Sequence, residues 1–138
     1  MLKIIEQKNF KIKEVSVSAS FSKLVALTTS DDIIENVNFT LKCLQEVRDI
    51  IGSSMTILSL YRSLELNTAV GGAKNSDHKL GKSADFTCNK LNMKELYEKL
   101  YTLKLKHINK CIYYPKQNFI HLSFEKEPKL KKYWIDNK

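Results

Sequence analysis

Two side chains suited to binding zinc lie within one short segment, Ser76 to Asp85. A neutral imidazole and a carboxylate are both good zinc ligands, and these are supplied by His78 and Asp85. Gly81 lies between them and permits the sharp turn that would bring both to one ion. A catalytic zinc site usually has a third protein ligand and leaves its fourth position to water. The segment therefore predicts a metal site that needs one further ligand.

His121 is the best remaining candidate for that ligand. It lies in the alternating segment 119–124, where a strand would point it to the face opposite Ile120 and Leu122. His107 follows a lysine-rich helix end and is interpreted as a solvated histidine. A lone histidine or aspartate is usually a surface or core residue, so the metal prediction depends on the combination of the three.

The elements that must position these residues follow from periodicity and turn chemistry. The predicted order is a helix from Asp31 or Asp32 to Gly52, a strand at 55–60, a long loop at 63–82, a strand at 83–87, a helix from Asn92 through Leu103, and strands at 110–114 and 119–124 joined by a turn. This order predicts a small α+β domain in which helices pack on an antiparallel sheet.

The length of 138 residues, with 43% hydrophobic content, predicts one domain and no second module. Residues 1–20 are lysine-rich and suit an N-terminal arm or an edge strand, and residues 21–138 form the predicted domain. No secretory signal is evident near the N-terminus and every apolar run is too short to span a bilayer. We therefore expect a monomer that is made in the cytoplasm and does not insert into membranes.

The net charge of +8 favours partners that are polyanions, such as nucleic acid, anionic lipid or an anionic cell-wall polymer. The densest basic patch, Lys126 to Lys132, is interpreted as solvated surface. Nucleic acid is the least favoured partner, because no helix-turn-helix or zinc-finger pattern accompanies the charge. Three widely spaced cysteines indicate neither a disulfide framework nor a thiolate zinc site.

The segment from Ser76 to Asp85 resembles the Ser-x-His-x-x-Gly-x-Ala-x-Asp signature of the zinc D-Ala-D-Ala peptidases, family M15. Ser83 takes the first small position and Ala84 the second, while His78 and Asp85 keep their seven-residue offset. The sequence Phe-Ile-His-Leu-Ser around His121 is similar to the Trp-Ile/Val-His-Val-Ser that supplies the last ligand. The segments 61–63 and 67–76 also look like those that precede the ligand motif in carboxypeptidase-like members, including phage-encoded ones.

The resemblance implies a hedgehog-like fold and a Zn²⁺ ion held by His78, Asp85 and His121. It implies that Arg62 binds a substrate carboxylate or carbonyl, a role that suits its fork of donors, and that Ser76 positions the peptide. The implied function is hydrolysis of peptidoglycan stem peptides by a carboxypeptidase or endopeptidase. With no secretion signal, a phage lytic factor released by lysis or carried in a virion fits best.

One part of the family pattern is missing, namely the carboxylate that acts as general base. Its usual places hold Asn118 and Tyr114, and neither an amide nor a phenol with a pKa near ~10 is a good base at neutral pH. Asn118 can still orient a water, and Asp77 and Glu125 are alternative carboxylates. The gap favours a second hypothesis, a catalytically impaired zinc-containing module that binds cell-wall peptide or a protein partner.

Overall fold

The computed structural model describes residues 2–15, 30–62 and 77–138. The elements are α1 Ile12–Val15, α2 Asp31–Ile51, β1 Thr56–Ser59, a 3₁₀ helix Asp77–Leu80, β2 Ser83–Thr87, α3 Met93–Leu103, β3 Ile108–Tyr114, β4 Phe119–Phe124 and β5 Lys132–Ile135. Within these ranges, no helix combines the length and apolar character needed to cross a membrane. The prediction of an α+β domain is confirmed.

The long helix α2 has the limits that its sequence dictates. The hydroxyl of Ser30 accepts a hydrogen bond from the backbone of Ile33, so the N-cap lies one residue before the predicted Asp31. Gly52 ends the helix in the left-handed conformation, with φ of 66°, and its N–H bonds to the carbonyl of Arg48. The apolar stripe of α2 is buried against the sheet.

The five strands form one sheet in the order β1-β2-β4-β3-β5. The first four are antiparallel, but β5 runs parallel to β3, so the prediction of a purely antiparallel sheet was wrong. The chain leaves β4 at Phe124, beside the start of β3 at Ile108, and β5 begins beside Lys110. Because β5 starts at the end of the sheet where β4 stops, it must run opposite to β4 and with β3.

The two faces of this sheet have different surroundings. One face contributes Phe86, Ile120 and Leu122 to the hydrophobic core shared with α2 and α3, and all three are fully buried. Alternation along β2 and β4 places Asp85 and His121 on the other face. The core thus fixes the sheet on one side, and the candidate ligands lie on the opposite side.

The N-terminal segment 2–15 contains α1 and no strand, and it packs against α2 rather than joining the sheet. The amide of Asn9 donates to the Gln45 side chain at 2.9 Å, and Phe10 is buried in the core. The carbonyl of Val15 accepts a 2.7 Å bond from the amide of Tyr61. The remainder of the predicted arm, residues 16–20, lies outside the described residues.

Candidate metal centre

Two strands and the 3₁₀ helix bring the three candidate ligands together. Asp85 and His121 are directly paired across β2 and β4. His78 lies in the 3₁₀ helix just before β2, and the turn at Gly81, with φ of 72°, connects the two. One ligand atom from each of the three residues lies within 4.8 Å of the others. The structure therefore brings together all three predicted metal ligands.

The tautomer of His78 is set by a backbone group. Its Nδ1 lies 2.6 Å from the carbonyl oxygen of Leu60, and a carbonyl can only accept, so Nδ1 carries the hydrogen. In the neutral ring Nε2 is then a lone pair, and it faces Oδ2 of Asp85 at 3.3 Å. Burial lowers the pKa of His78 despite the opposing charge of Asp85, which favours the neutral, ligand-competent ring.

Asp85 is held in its charged form. Burial alone would raise its pKa, but the hydrogen bond with His121 and a proton carried by either neighbouring histidine outweigh burial and hold the pKa of Asp85 well below its usual value. Nδ1 of His121 lies 2.8 Å from Oδ1 of the same carboxylate. A carboxylate and a neutral imidazole are the forms of these groups that bind zinc.

The arrangement fits a metal ion. Tetrahedral ligands about 2.0–2.1 Å from zinc lie roughly 3.3 Å from one another. The contact from His78 Nε2 to Asp85 is 3.3 Å and that from His121 Nδ1 is 2.8 Å. In the first contact, the lone pair of His78 Nε2 faces a carboxylate oxygen inside the protein. Such a contact is repulsive unless a cation or a proton lies between the two atoms. Two nitrogens and an oxygen are also a donor set that zinc accepts.

Arg62, for which the family resemblance implies a substrate-binding role, lies beside this cluster. Its Nη2 is 3.5 Å from Oδ2 of Asp85, and its Nε donates to the hydroxyl of Ser59 at 3.0 Å. The backbone amide of Arg62 also bonds to the carbonyl of His78 at 2.9 Å. Burial lowers the pKa of Arg62, and the charge of Asp85 opposes that effect. The guanidinium is therefore partly desolvated, a condition that strengthens its attraction for anions.

Tyr114 and Asn118 occupy the two ends of the β3–β4 turn. Asn118 is exposed with φ of 58°, and its amide bonds to the carbonyl of Tyr114 at 2.8 Å, so it closes the hairpin as a left-handed turn residue. Tyr114 stacks on Phe119 with ring centroids 4.6 Å apart. Burial, then the charges of Asp136 and Asp85, raise the pKa of Tyr114, which keeps its phenol protonated. Ser76 lies outside the described residues.

A comparison with protein families agrees with this geometry. The family model described as Peptidase M15 matches residues 8–123, which is most of the chain. The chain belongs to peptidase family M15. The match includes all three candidate ligands and Arg62, begins inside the predicted N-terminal arm, and ends before β5. A search of curated proteins gave no match.

The two carboxylates considered as substitute bases in this M15 peptidase are both engaged in ion pairs. Asp77 accepts from Nζ of Lys110 at 2.8 Å, and Glu125 accepts from Nζ of Lys82 at 2.7 Å. Each pair is half-buried, and in each the ammonium group of a lysine already occupies one carboxylate oxygen. Glu125 follows the end of β4 and is not part of the ligand cluster.

Lys110 and Leu60 contact the site of this M15 protein, and neither was predicted from the sequence. Lys110 is paired with Ser123 across β3 and β4, two residues from His121, and only this register shows that it reaches the 3₁₀ helix. Leu60 contributes its backbone carbonyl, and the type of its side chain does not indicate this role. Backbone hydrogen-bond acceptors of this kind can be assigned only when the positions of the strand ends are known.

Proposed function

We propose that the protein is a zinc-dependent metallopeptidase that acts as a monomer on peptidoglycan stem peptides, as a D-Ala-D-Ala carboxypeptidase or an endopeptidase. The observation that carries the proposal is the buried Nε2 lone pair of His78 facing the Asp85 carboxylate beside His121. Membership of peptidase family M15 supports it. The net charge of +8 suits a substrate embedded in anionic cell-wall polymer.

Each candidate residue has a distinct task in this proposal. Zinc, when bound by His78, Asp85 and His121, supplies the Lewis acidity that polarises a carbonyl and acidifies water. Arg62 binds the substrate carboxylate or a backbone carbonyl, and Ser76 positions the peptide. The protonated phenol of Tyr114 donates a hydrogen bond to negative charge that develops on the substrate oxygen. Asn118 holds the turn that keeps Tyr114 and His121 on adjacent strands.

A second candidate is a zinc-containing module that binds cell-wall peptide or a protein partner without turnover. The ion pairs of Asp77 with Lys110 and of Glu125 with Lys82 favour it, because they occupy the two carboxylates that were considered as bases. Loss of a general base costs about 10²- to 10⁴-fold in rate, so such a module would retain binding with little hydrolysis.

The experiment that separates the two candidates is mass spectrometry of purified peptidoglycan fragments after incubation with the zinc-loaded protein. His78→Ala is the test variant, and His107→Ala is the matched control because His107 bonds to the carbonyl of Glu125 away from the ligands. Loss of a terminal D-alanine or a cut stem peptide, abolished by the first variant and kept by the second, is the expected result. A folded, zinc-loaded protein that cuts nothing would contradict the peptidase proposal and favour the binding module.

The proposal also includes a setting for the enzyme. We infer a lytic factor of phage type, made in the cytoplasm and brought to the wall by lysis or in a virion, and the resemblance to phage-encoded members supports this. Added protein should then lower the turbidity of bacterial cells whose outer barrier has been permeabilised. Unchanged turbidity with a protein that cuts isolated fragments would argue against the lytic setting and leave the peptidase proposal in place.

A further inference from the structure

One row of paired residues crosses the sheet from the metal ligands to its far edge. Asp85 pairs with His121, His121 with Ile112, and Ile112 with Trp134 of β5. Residues in register on neighbouring strands project to the same face. At about 4.8 Å per strand, the Cα of Trp134 lies roughly 10 Å from that of His121. The face that bears the candidate ligands therefore continues to a half-buried tryptophan on the edge strand.

The surface between His121 and Trp134 is apolar. Ile112 is buried, and the stacked pair of Tyr114 and Phe119 lies one step further along the same two strands. Such a surface is suited to the non-reacting part of a substrate, because apolar and aromatic side chains supply most of the area of ligand sites.

A cation lies at the outer end of this surface. Nζ of Lys132 is 4.8 Å from the centroid of the Trp134 ring. Lys132 is exposed, whereas Lys110, its partner on β3, is bound to Asp77 at 2.8 Å. Among the described residues of this face, the outer edge thus combines an aromatic ring with an ammonium group from the neighbouring row, which fits a ligand that is both apolar and anionic.

We propose that β5 forms a substrate subsite in which Trp134 packs against the peptide and Lys132 binds a carboxylate about three residues from the scissile bond. This inference rests on the proposed peptidase function. The spacing argues for it, because Trp134, whose ring lies 4.8 Å from Nζ of Lys132, is two strands from His121. An extended peptide advances about 3.3 Å per residue and so covers that distance, roughly 10 Å, in three residues. In a stem pentapeptide that loses its terminal D-alanine, the D-glutamyl carboxylate lies at that place.

The subsite is a feature of this chain rather than of the matched family region, because the match ends at residue 123 and β5 begins at Lys132. The seven residues from Glu125 to Lys131 carry the chain across the end of β3 to place β5 there. A strand added at this edge extends the ligand-bearing face of the sheet on the side of His121.

The kinetic test compares Trp134→Ala with Ile135→Ala, two neighbours that alternate to opposite faces of β5. With the complete stem pentapeptide, Trp134→Ala should raise KM about tenfold at unchanged kcat, as truncation of a buried aromatic anchor does. With an acetylated D-Ala-D-Ala dipeptide, too short to reach β5, neither variant should change KM. Trp134→Phe should restore most of the pentapeptide KM. Equal effects on both substrates, or none on either, would overturn the subsite.

The charge of Lys132 is tested with a matched pair of pentapeptides that carry a D-glutamyl carboxylate or its amide. Lys132→Gln should raise KM about threefold for the carboxylate form, a size typical of an exposed ion pair. It should leave the KM of the amide form unchanged. A loss that is the same for both peptides would exclude recognition of this carboxylate by Lys132.

A binding measurement keeps the subsite testable if no hydrolysis is found. Trp134 is the single tryptophan of the chain, so intrinsic fluorescence reports on the subsite directly. Titration of the zinc-loaded protein with pentapeptide should change the emission in a saturable way, and the dipeptide should not. Saturable binding without cleavage would refute the peptidase proposal but support the subsite. Cleavage with no change in emission would support the peptidase proposal and refute the subsite.

Discussion

The position of each candidate ligand depends on residues that bind no metal themselves. The ring of His78 is oriented by the carbonyl of Leu60, at the end of β1, although β1 contributes no ligand. Asp85 is approached by Nη2 of Arg62, which is itself held by the hydroxyl of Ser59. Such outer contacts fix tautomer and orientation, and their loss commonly costs 10- to 100-fold in metal affinity or activity. The strand end at 59–62 therefore supports the candidate metal centre.

Asp77 adjoins a ligand but is bound to Lys110, and we predict that it is not the general base. Asp77→Asn should lower kcat/KM on a stem peptide by less than about tenfold, because removal of a true base costs about 10² or more. Steady-state kinetics on the zinc-loaded variant measure this. Lys110→Met is the control, since it breaks the same ion pair and leaves the carboxylate. A loss of several hundredfold in Asp77→Asn alone would identify Asp77 as the base.

Residue chemistry and the family resemblance together predicted which residues meet at the candidate centre. His78, Asp85 and His121 could be chosen as zinc-ligand types, and the seven-residue offset of the first two matched the family signature. The partners of Asp77 and Glu125 could not, because each depends on a cross-strand register that no local pattern encodes. The left-handed backbone conformation of Asn118 was also not predicted, because it results from the hairpin turn and not from a catalytic role.

At the scale of elements, α2 anchors the turn between the first two ligands. A Cβ built on Gly81 would lie 2.5 Å from Cγ2 of Val37, so the turn approaches the helix too closely for any side chain. The hydroxyl of Thr40 also donates to the carbonyl of Gly81 at 2.7 Å in the buried interface. The helix thus positions His78 and Asp85 through a contact with backbone.

Gly81→Ala and Gly52→Ala form a matched pair that measures this contact. Both glycines have positive φ, of 72° and 66°, but a Cβ at Gly52 meets nothing within 4 Å. Gly52→Ala should cost about 1–2 kcal/mol of unfolding free energy from backbone conformation alone. Gly81→Ala should cost about 1–3 kcal/mol more from overpacking against Val37. Urea denaturation of the metal-free proteins measures both, and equal losses would show that the close approach is not stabilising.

Elements with a strong local pattern were predicted well, whereas β5 was not. The bounds of β2 and β4 and the Asn92 cap of α3 agree with the sequence, because alternation and capping act within a few residues. β5 begins at Lys132, inside the patch interpreted as solvated surface, and has four residues. Its conformation comes from pairing with β3, so the tertiary structure rather than local preference specifies this strand.

At the scale of the whole molecule, the candidate metal centre forms only after distant segments have paired. Asp85 and His121 are 36 residues apart in sequence and meet across β2 and β4. The unfolded chain does not hold them together, so a metal that binds the centre binds the folded state preferentially. The free energy of metal binding should then add to the free energy of unfolding.

Metal removal should therefore lower the melting temperature. With free zinc at 100 times its Kd, the stabilisation is about 2.7 kcal/mol, which corresponds to roughly 8–10 °C for a domain of this size. Differential scanning calorimetry of the zinc-loaded protein, before and after dialysis against a chelator, measures the shift. His121→Ala is the control and should show no response to the chelator. An equal shift in that variant would place the stabilising metal elsewhere.

The three cysteines should be inert in the folded protein. Cys43, Cys88 and Cys111 are all buried, and burial raises the pKa of Cys43 and of Cys111 to about 12. Raised pKa values keep the thiols protonated at pH 8, and only the thiolate reacts. A disulfide reagent should therefore modify none of them without denaturant and all three in guanidinium chloride. Rapid native modification of one thiol would show that its surroundings open readily.

The edge formed by β5 also bears on how the molecule behaves at high concentration. An edge strand offers unpaired amides and carbonyls to the strands of other molecules, and short, lysine-bearing edges resist such pairing. β5 has four residues, starts at Lys132 and is preceded by Lys131. If two such chains met edge to edge, their positive charges would face and repel each other. This side of the sheet is therefore protected against self-assembly into fibrils.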